Sequence, residues 1–154
     1  MKRLAILGII GLLAVALAPG ATAAPKARKV SMTMTEFKFT PQTITLQAGV
    51  PVELILVNKG TVEHEFMVYV PPKAPPDDWD EYVMVNTFFQ RMGEVAVEFA
   101  GRGAVASTSM FEVELQKGRS ATIIFTPNRK GTFEIGCHVE GHYEGGMKGT
   151  LIVK

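Results

Sequence analysis

The chain has 154 residues, with 16 Lys and Arg against 15 Asp and Glu, for a formal net charge of +1. That balance excludes the basic surface a nucleic-acid partner would need, and the length suits one compact domain rather than two. Three histidines and a single cysteine exclude an internal disulfide framework.

Lys2 and Arg3 precede an apolar run from Leu4 to Ala18, a Pro19-Gly20 break and the small residues Ala21-Thr22-Ala23. A charged start, a hydrophobic stretch short for a membrane span and a small-residue site predict a secretory signal peptide over residues 1–23, cut after Ala23. An uncleaved membrane anchor is the competing reading. Cleavage removes two basic residues and no acidic one, leaving a single domain over 24–154 with a net charge of −1 and no membrane span. The expected location is the periplasm or an equivalent exported compartment.

Short segments rich in Val, Ile, Thr and Phe then alternate with Gly, Pro and Asn turns: KVSMTMTEFKFTP, TITLQAG, VPVELILVN, EHEFMVYV, MFEVELQKG, SATIIFTP, GTFEIGC and KGTLIVK. This pattern predicts about eight strands in an all-β, two-sheet antiparallel sandwich or flattened barrel. In MFEVEL, Phe111, Val113 and Leu115 are expected to face a core and Glu112 and Glu114 to face water. Between residues 71 and 110 the rhythm breaks. After the proline-rich PPKAPPDD, Asp78 followed three residues later by Glu81 matches a capping box, with Trp79, Tyr82, Val83, Val85, Phe89 and Met92 near helical spacing. YVMV and VAVEF read equally well as strand, and AGRGAVASTS reads as a mobile loop. This insertion is expected to pack its apolar face over one end of the sandwich.

The chemistry concentrates in GCHVEGHYEGGMKG. Cys137, the only thiol, is followed by His142 and Met147 at intervals of five, with Gly141, Gly145, Gly146 and Gly149 allowing tight turns. An isolated thiol in an oxidising compartment is a liability unless it is buried, paired between chains or held by a metal. A trigonal copper site needs a second imidazole, and outside this loop the only histidine is His64. A thiolate, two imidazoles and a weak axial thioether form the blue-copper set. The thiolate donates strongly to Cu(II), the imidazoles tolerate both oxidation states and the thioether favours Cu(I). His138 directly follows Cys137, and neighbours on an extended backbone point to opposite faces, so it is expected to point away from the metal. It is also the competing donor for His64's place.

On these residues the chain resembles the cupredoxins, the small blue copper proteins. The Cys-His-Met loop matches Cys137, His142 and Met147, and the family's first histidine matches His64 in LVNKGTVEHEF. The loop spacing is most similar to rusticyanin and auracyanin. The resemblance implies a Greek-key β-sandwich and one type 1 copper ion on these four residues. It also implies a monomeric one-electron carrier serving cytochrome or copper/haem redox partners, with the His142 ring edge near solvent, framed by Tyr143 and Gly141, as the electron port. The family often has Asn or Ser after the first histidine to tie the two ligand segments, whereas this chain has Glu65. Glu63, Glu65, Glu140 and Glu144 flank the ligands as a solvated rim or as a patch steering a basic partner. Met32, Met34, Met67, Met84, Met92 and Met110 are expected to fill the core, with a methionine-rich Cu(I) site as the rival. Enzymatic copper chemistry is not expected, because three histidines cannot supply a second copper centre. The alternative function is a copper-binding carrier or storage protein that delivers metal without redox turnover.

Overall fold

The computed structural model describes residues 26–101, 104–107 and 110–154. The expected signal peptide, residues 1–23, lies outside them. Eleven strands and one helix follow in chain order: β1 (Arg28–Thr35), β2 (Lys38–Thr40), β3 (Thr43–Leu46), β4 (Val52–Asn58), β5 (His64–Tyr69), α1 (Trp79–Asn86), β6 (Val95–Phe99), β7 (Ala104–Ser107), β8 (Glu112–Leu115), β9 (Ser120–Phe125), β10 (Gly131–Gly136) and β11 (Lys148–Val153). One sheet runs β2-β1-β4-β9-β6-β7 and the other β3-β11-β10-β5-β8. Every pairing is antiparallel except β1 with β4 and β3 with β11.

The expected all-β sandwich is present, with more strands than the eight expected. The segment KVSMTMTEFKFTP makes two strands, because the chain reverses at Glu36-Phe37, where Phe37 adopts φ +61°. VAVEF and AVAS add two more, extending the first sheet beyond β9. The reading of AGRGAVASTS as a mobile loop is therefore corrected over Ala104–Ser107, whose backbone pairs with Val95–Glu98 as an edge strand; residues 102–103 and 108–109 lie outside the described ones. The helix of the insertion is present, and Asp78 caps it by accepting a 2.9 Å bond from the Glu81 N–H. It is one stretch of eight residues, and Phe88, Phe89, Met92, Val95 and Val97 beyond it enter the main core.

Alternation decides which side chains fill that core. In β4, Val52, Leu54, Leu56 and Asn58 are buried while the residues between them are half-buried. In β9, Ala121, Ile123 and Phe125 are buried, and in β8 Val113 and Leu115 face inward as expected. Strand β5 is covered on both sides. Phe66 and Val68 join the main core, whereas Met67 and Tyr69 form a second cluster with Val83 of α1, backed by Trp79, Tyr82 and Phe111. Of the six other methionines among the described residues, Met84 is exposed, and Met32, Met34, Met67, Met92 and Met110 are buried among apolar residues, the gap-filling role expected of them. The main core also takes in Cys137 and Met147 at one end, and the histidines gather there.

Candidate metal centre

Three segments deliver the site. The ladder between β10 and β11 ends at Gly136 opposite Lys148, and one residue further the Cys137 N–H donates to the Met147 carbonyl at 3.3 Å. Cys137 and Met147 are thus neighbours by register. Between them the loop folds on itself: the His142 N–H bonds the Val139 carbonyl at 2.9 Å, and the Met147 N–H bonds the His142 carbonyl at 2.9 Å. Gly141 and Gly146 hold φ of +77° and +103°, which only glycine adopts without strain. His64 opens β5, and its approach is built by Asn58. This fully buried amide donates to the carbonyls of Val62 and Leu115 at 2.8 and 2.7 Å and accepts from the Gly60 N–H at 2.8 Å.

His64 and Cys137 have no exposed surface, and His142 is 8% exposed. His142 Nδ1 lies 3.2 Å from His64 Nδ1 and 3.4 Å from Cys137 Sγ. One donor atom from each residue lies within 4.8 Å of the others. Three donors around one first-row metal, at bonds of about 2.0–2.3 Å, would stand roughly 3.5–3.8 Å apart in a plane. The two edges at His142, 3.2 and 3.4 Å, would need only a slight opening to admit a metal. Burial lowers the pKa of His64, with the neighbouring His142 adding to the effect and Glu36 opposing it, so the His64 ring stays neutral and keeps a lone pair to donate. Burial also raises the Cys137 thiol, opposed by the N–H groups of Glu65 and Val139. A buried thiol beside two imidazoles becomes a thiolate most readily when a cation enters. Met147 is fully buried and tied by its backbone to both Cys137 and His142.

Glu65 ties the two ligand segments in both directions. Its N–H donates to Cys137 Sγ at 3.3 Å, and its carboxylate accepts from the His138 N–H at 3.0 Å. The carboxylate thus makes the cross-link for which the resemblance offered Asn or Ser.

His138 turns away from the triangle, as the alternation predicts. Its ring stacks on Trp79 at 4.0 Å and on Tyr143 at 4.6 Å, and its Nε2 meets the Tyr69 hydroxyl at 2.9 Å. Glu134 accepts from the hydroxyls of Tyr69 and Tyr143. Burial drives the His138 pKa down to about 4, so this ring is neutral at ordinary pH. Tyr143 thus lines the pocket around His138.

Two contacts on the histidines escaped the sequence. Glu36 Oε1 lies 3.8 Å from His64 Nε2, and the Phe37 ring stands edge-on to His142 with centroids 5.7 Å apart. Neither residue belongs to a motif. The one available signal was the Asn58-Lys59-Gly60 turn, which marks the loop they meet.

Residues 6–70 match the model of the cupredoxin-like domain, a segment that contains His64. The chain is 28% identical over 133 residues to the copper-resistant cuproprotein CopI of Rubrivivax gelatinosus, covering 86% of this chain and 70% of that protein. Its identity to the protein of the same name from Pseudomonas aeruginosa is 23%, over 87% and 80% of the two chains. Among solved structures, dithionite-reduced auracyanin from Roseiflexus castenholzii superposes with a TM-score of 0.55 at 20% identity, covering 84% of this chain and 99% of that one. At that identity the likeness shows the fold.

Proposed function

We propose that the chain is a cupredoxin-like copper protein, an exported one-electron carrier whose metal is held by His64, Cys137, His142 and Met147. The observation that supports this most is the buried triangle of two Nδ1 atoms and one sulfur, assembled from sequence positions 64, 137 and 142 and already close to trigonal spacing. Copper bound there supplies the reversible Cu(II)/Cu(I) couple.

The chain's own residues keep the rearrangement between the two states small. The Glu65 N–H donates to the sulfur, and the two-way tie through Glu65 and His138 would hold Cys137 in place relative to His64. Continuity with the packed core leaves Cys137 and Met147 little room to move. The His142 end, where the exposed Phe37 ring stands edge-on to His142, is the route by which a partner's electron would reach the site.

The names of the CopI relatives favour a second reading, copper handling in resistance. The same ligands would then hold and pass on metal without cycling. Voltammetry of the copper-loaded protein, run beside extraction by a chelator, separates the two. The carrier reading expects a reversible one-electron wave and slow metal loss, whereas an irreversible wave with rapid loss would replace it by the delivery reading.

A further inference from the structure

The turn between β1 and β2 touches both histidines of the site through consecutive residues. His64 Nε2 is buried and has no hydrogen-bond partner, yet the Glu36 carboxylate faces it at 3.8 Å. That carboxylate is itself held: Oε1 accepts from the Thr61 N–H and, at 2.9 Å, from the Thr61 hydroxyl. Two donors converging on one oxygen suit a carboxylate, which only accepts, rather than a protonated carboxyl. The next residue, Phe37, half exposed at 50%, lays its ring edge-on to His142 from a left-handed backbone, φ +61°, that a bulky residue adopts only under constraint.

Two glycines make room for these contacts. A Cβ on Gly60 would stand 2.5 Å from His64 Nε2 and 2.7 Å from Glu36 Oε1, and one on Gly145 would stand 2.7 Å from Phe37 Cε1. Any side chain at Gly60 would push Glu36 and His64 apart, and any at Gly145 would lift Phe37 off the loop.

We propose that the Glu36–Phe37 turn positions both ligand histidines: Glu36 holds the proton of His64 on Nε2, and Phe37 seats the His142 ring and closes the site against metal exchange. This rests on the ligand assignment above. A carboxylate facing Nε2 favours the tautomer with hydrogen there, leaving the Nδ1 lone pair aimed at the triangle, and at this distance it acts as a charge on the N–H dipole. Phe37 acts by contact, limiting the swing of the one ligand ring that retains exposed surface. Neither residue reaches the metal, so both are positioning residues.

The test uses 15N-labelled protein loaded with Cu(I). Solvent exchange of the His64 Nε2–H proton is read by NMR, and the rate of copper extraction by bicinchoninate by absorbance. Glu36→Gln keeps an acceptor for Thr61 and removes the charge. It should speed His64 proton exchange and lower copper affinity by about 10-fold, the low end for loss of a partner outside a ligand. Phe37→Ala should speed extraction several-fold and leave His64 exchange unchanged, while Val62→Ala, at another exposed apolar position, should change neither. Equal exchange and extraction rates in wild type and both turn variants would overturn the proposal, as would a Phe37→Ala variant that loosens His64 as much as His142. Cys137→Ser is run in parallel. If it holds Cu(I) as tightly as wild type, the ligand assignment has failed rather than the role of the turn.

Discussion

Two imidazoles lie within five residues of the single thiol, and they do opposite things. His142 turns its Nδ1 to the sulfur at 3.4 Å. His138, though adjacent to Cys137, turns outward into a pocket of Trp79, Tyr69 and Tyr143. Backbone direction is what separates them. The extended chain at Cys137–His138 sends successive side chains to opposite sides, while the glycine-assisted loop brings His142 back over the core side. Nearness in sequence to a ligand is therefore no guide to ligation, and the 71–110 insertion accounts for the other imidazole: α1 supplies the Trp79 face on which His138 stacks.

Substitutions should separate the two sides of that strand. The largest effect is expected at Cys137: Cys137→Ser removes the thiolate, so the intense thiolate-to-Cu(II) absorption should vanish entirely. His64→Ala should also abolish that band, while His138→Ala should keep it, which puts the contrast between the imidazoles in one spectrum. The cost of His138→Ala appears in folding instead. Losing two stacked contacts, worth about 0.5–1.5 kcal/mol each, and one hydrogen bond worth about 1 kcal/mol should lower stability by roughly 2–4 kcal/mol in urea unfolding. Glu65→Ala should cost about 1–2 kcal/mol, because it leaves the His138 N–H without its partner.

The smallest effect concerns pH. Glu112 is raised to about 7, first by burial and then by repulsion from Glu114, Glu65 and Asp80. Its folded pKa lies above the ordinary carboxyl value of 4.5, so the native state binds more protons between those two values, and stability falls as pH rises through that window. Glu112→Gln should flatten this decline and add about 1 kcal/mol at pH 8 after allowance for solvent screening. Urea midpoints at pH 4.5 and pH 8 check it.

Much of this contrast was legible beforehand. Residue types, spacing and the family resemblance pointed to His64, Cys137 and His142, which the fold brings together, and the outward turn of His138 followed from alternation alone. The strands came from β-branched runs ended by glycine and proline. What escaped had physical reasons. The reversal at Glu36-Phe37 is hidden because neither residue is a turn former, and the positive φ is maintained by contacts with Gly145 and His142 that exist only in the folded chain. AVAS reads as loop because its small residues carry little strand propensity of their own; pairing with VAVEF supplies what they lack. Glu65 departed from the family pattern as a residue type, yet its backbone and carboxylate make both bonds required.

X-ray absorption at the copper K-edge, on protein loaded with one equivalent of Cu(II), tests the central claim most directly. The account predicts one short copper–sulfur bond and two imidazole nitrogens in the first shell of wild type, with the nitrogen count falling in His64→Ala and unchanged in His138→Ala. A shell without the short sulfur, or one that loses a nitrogen with His138 instead of His64, would contradict it.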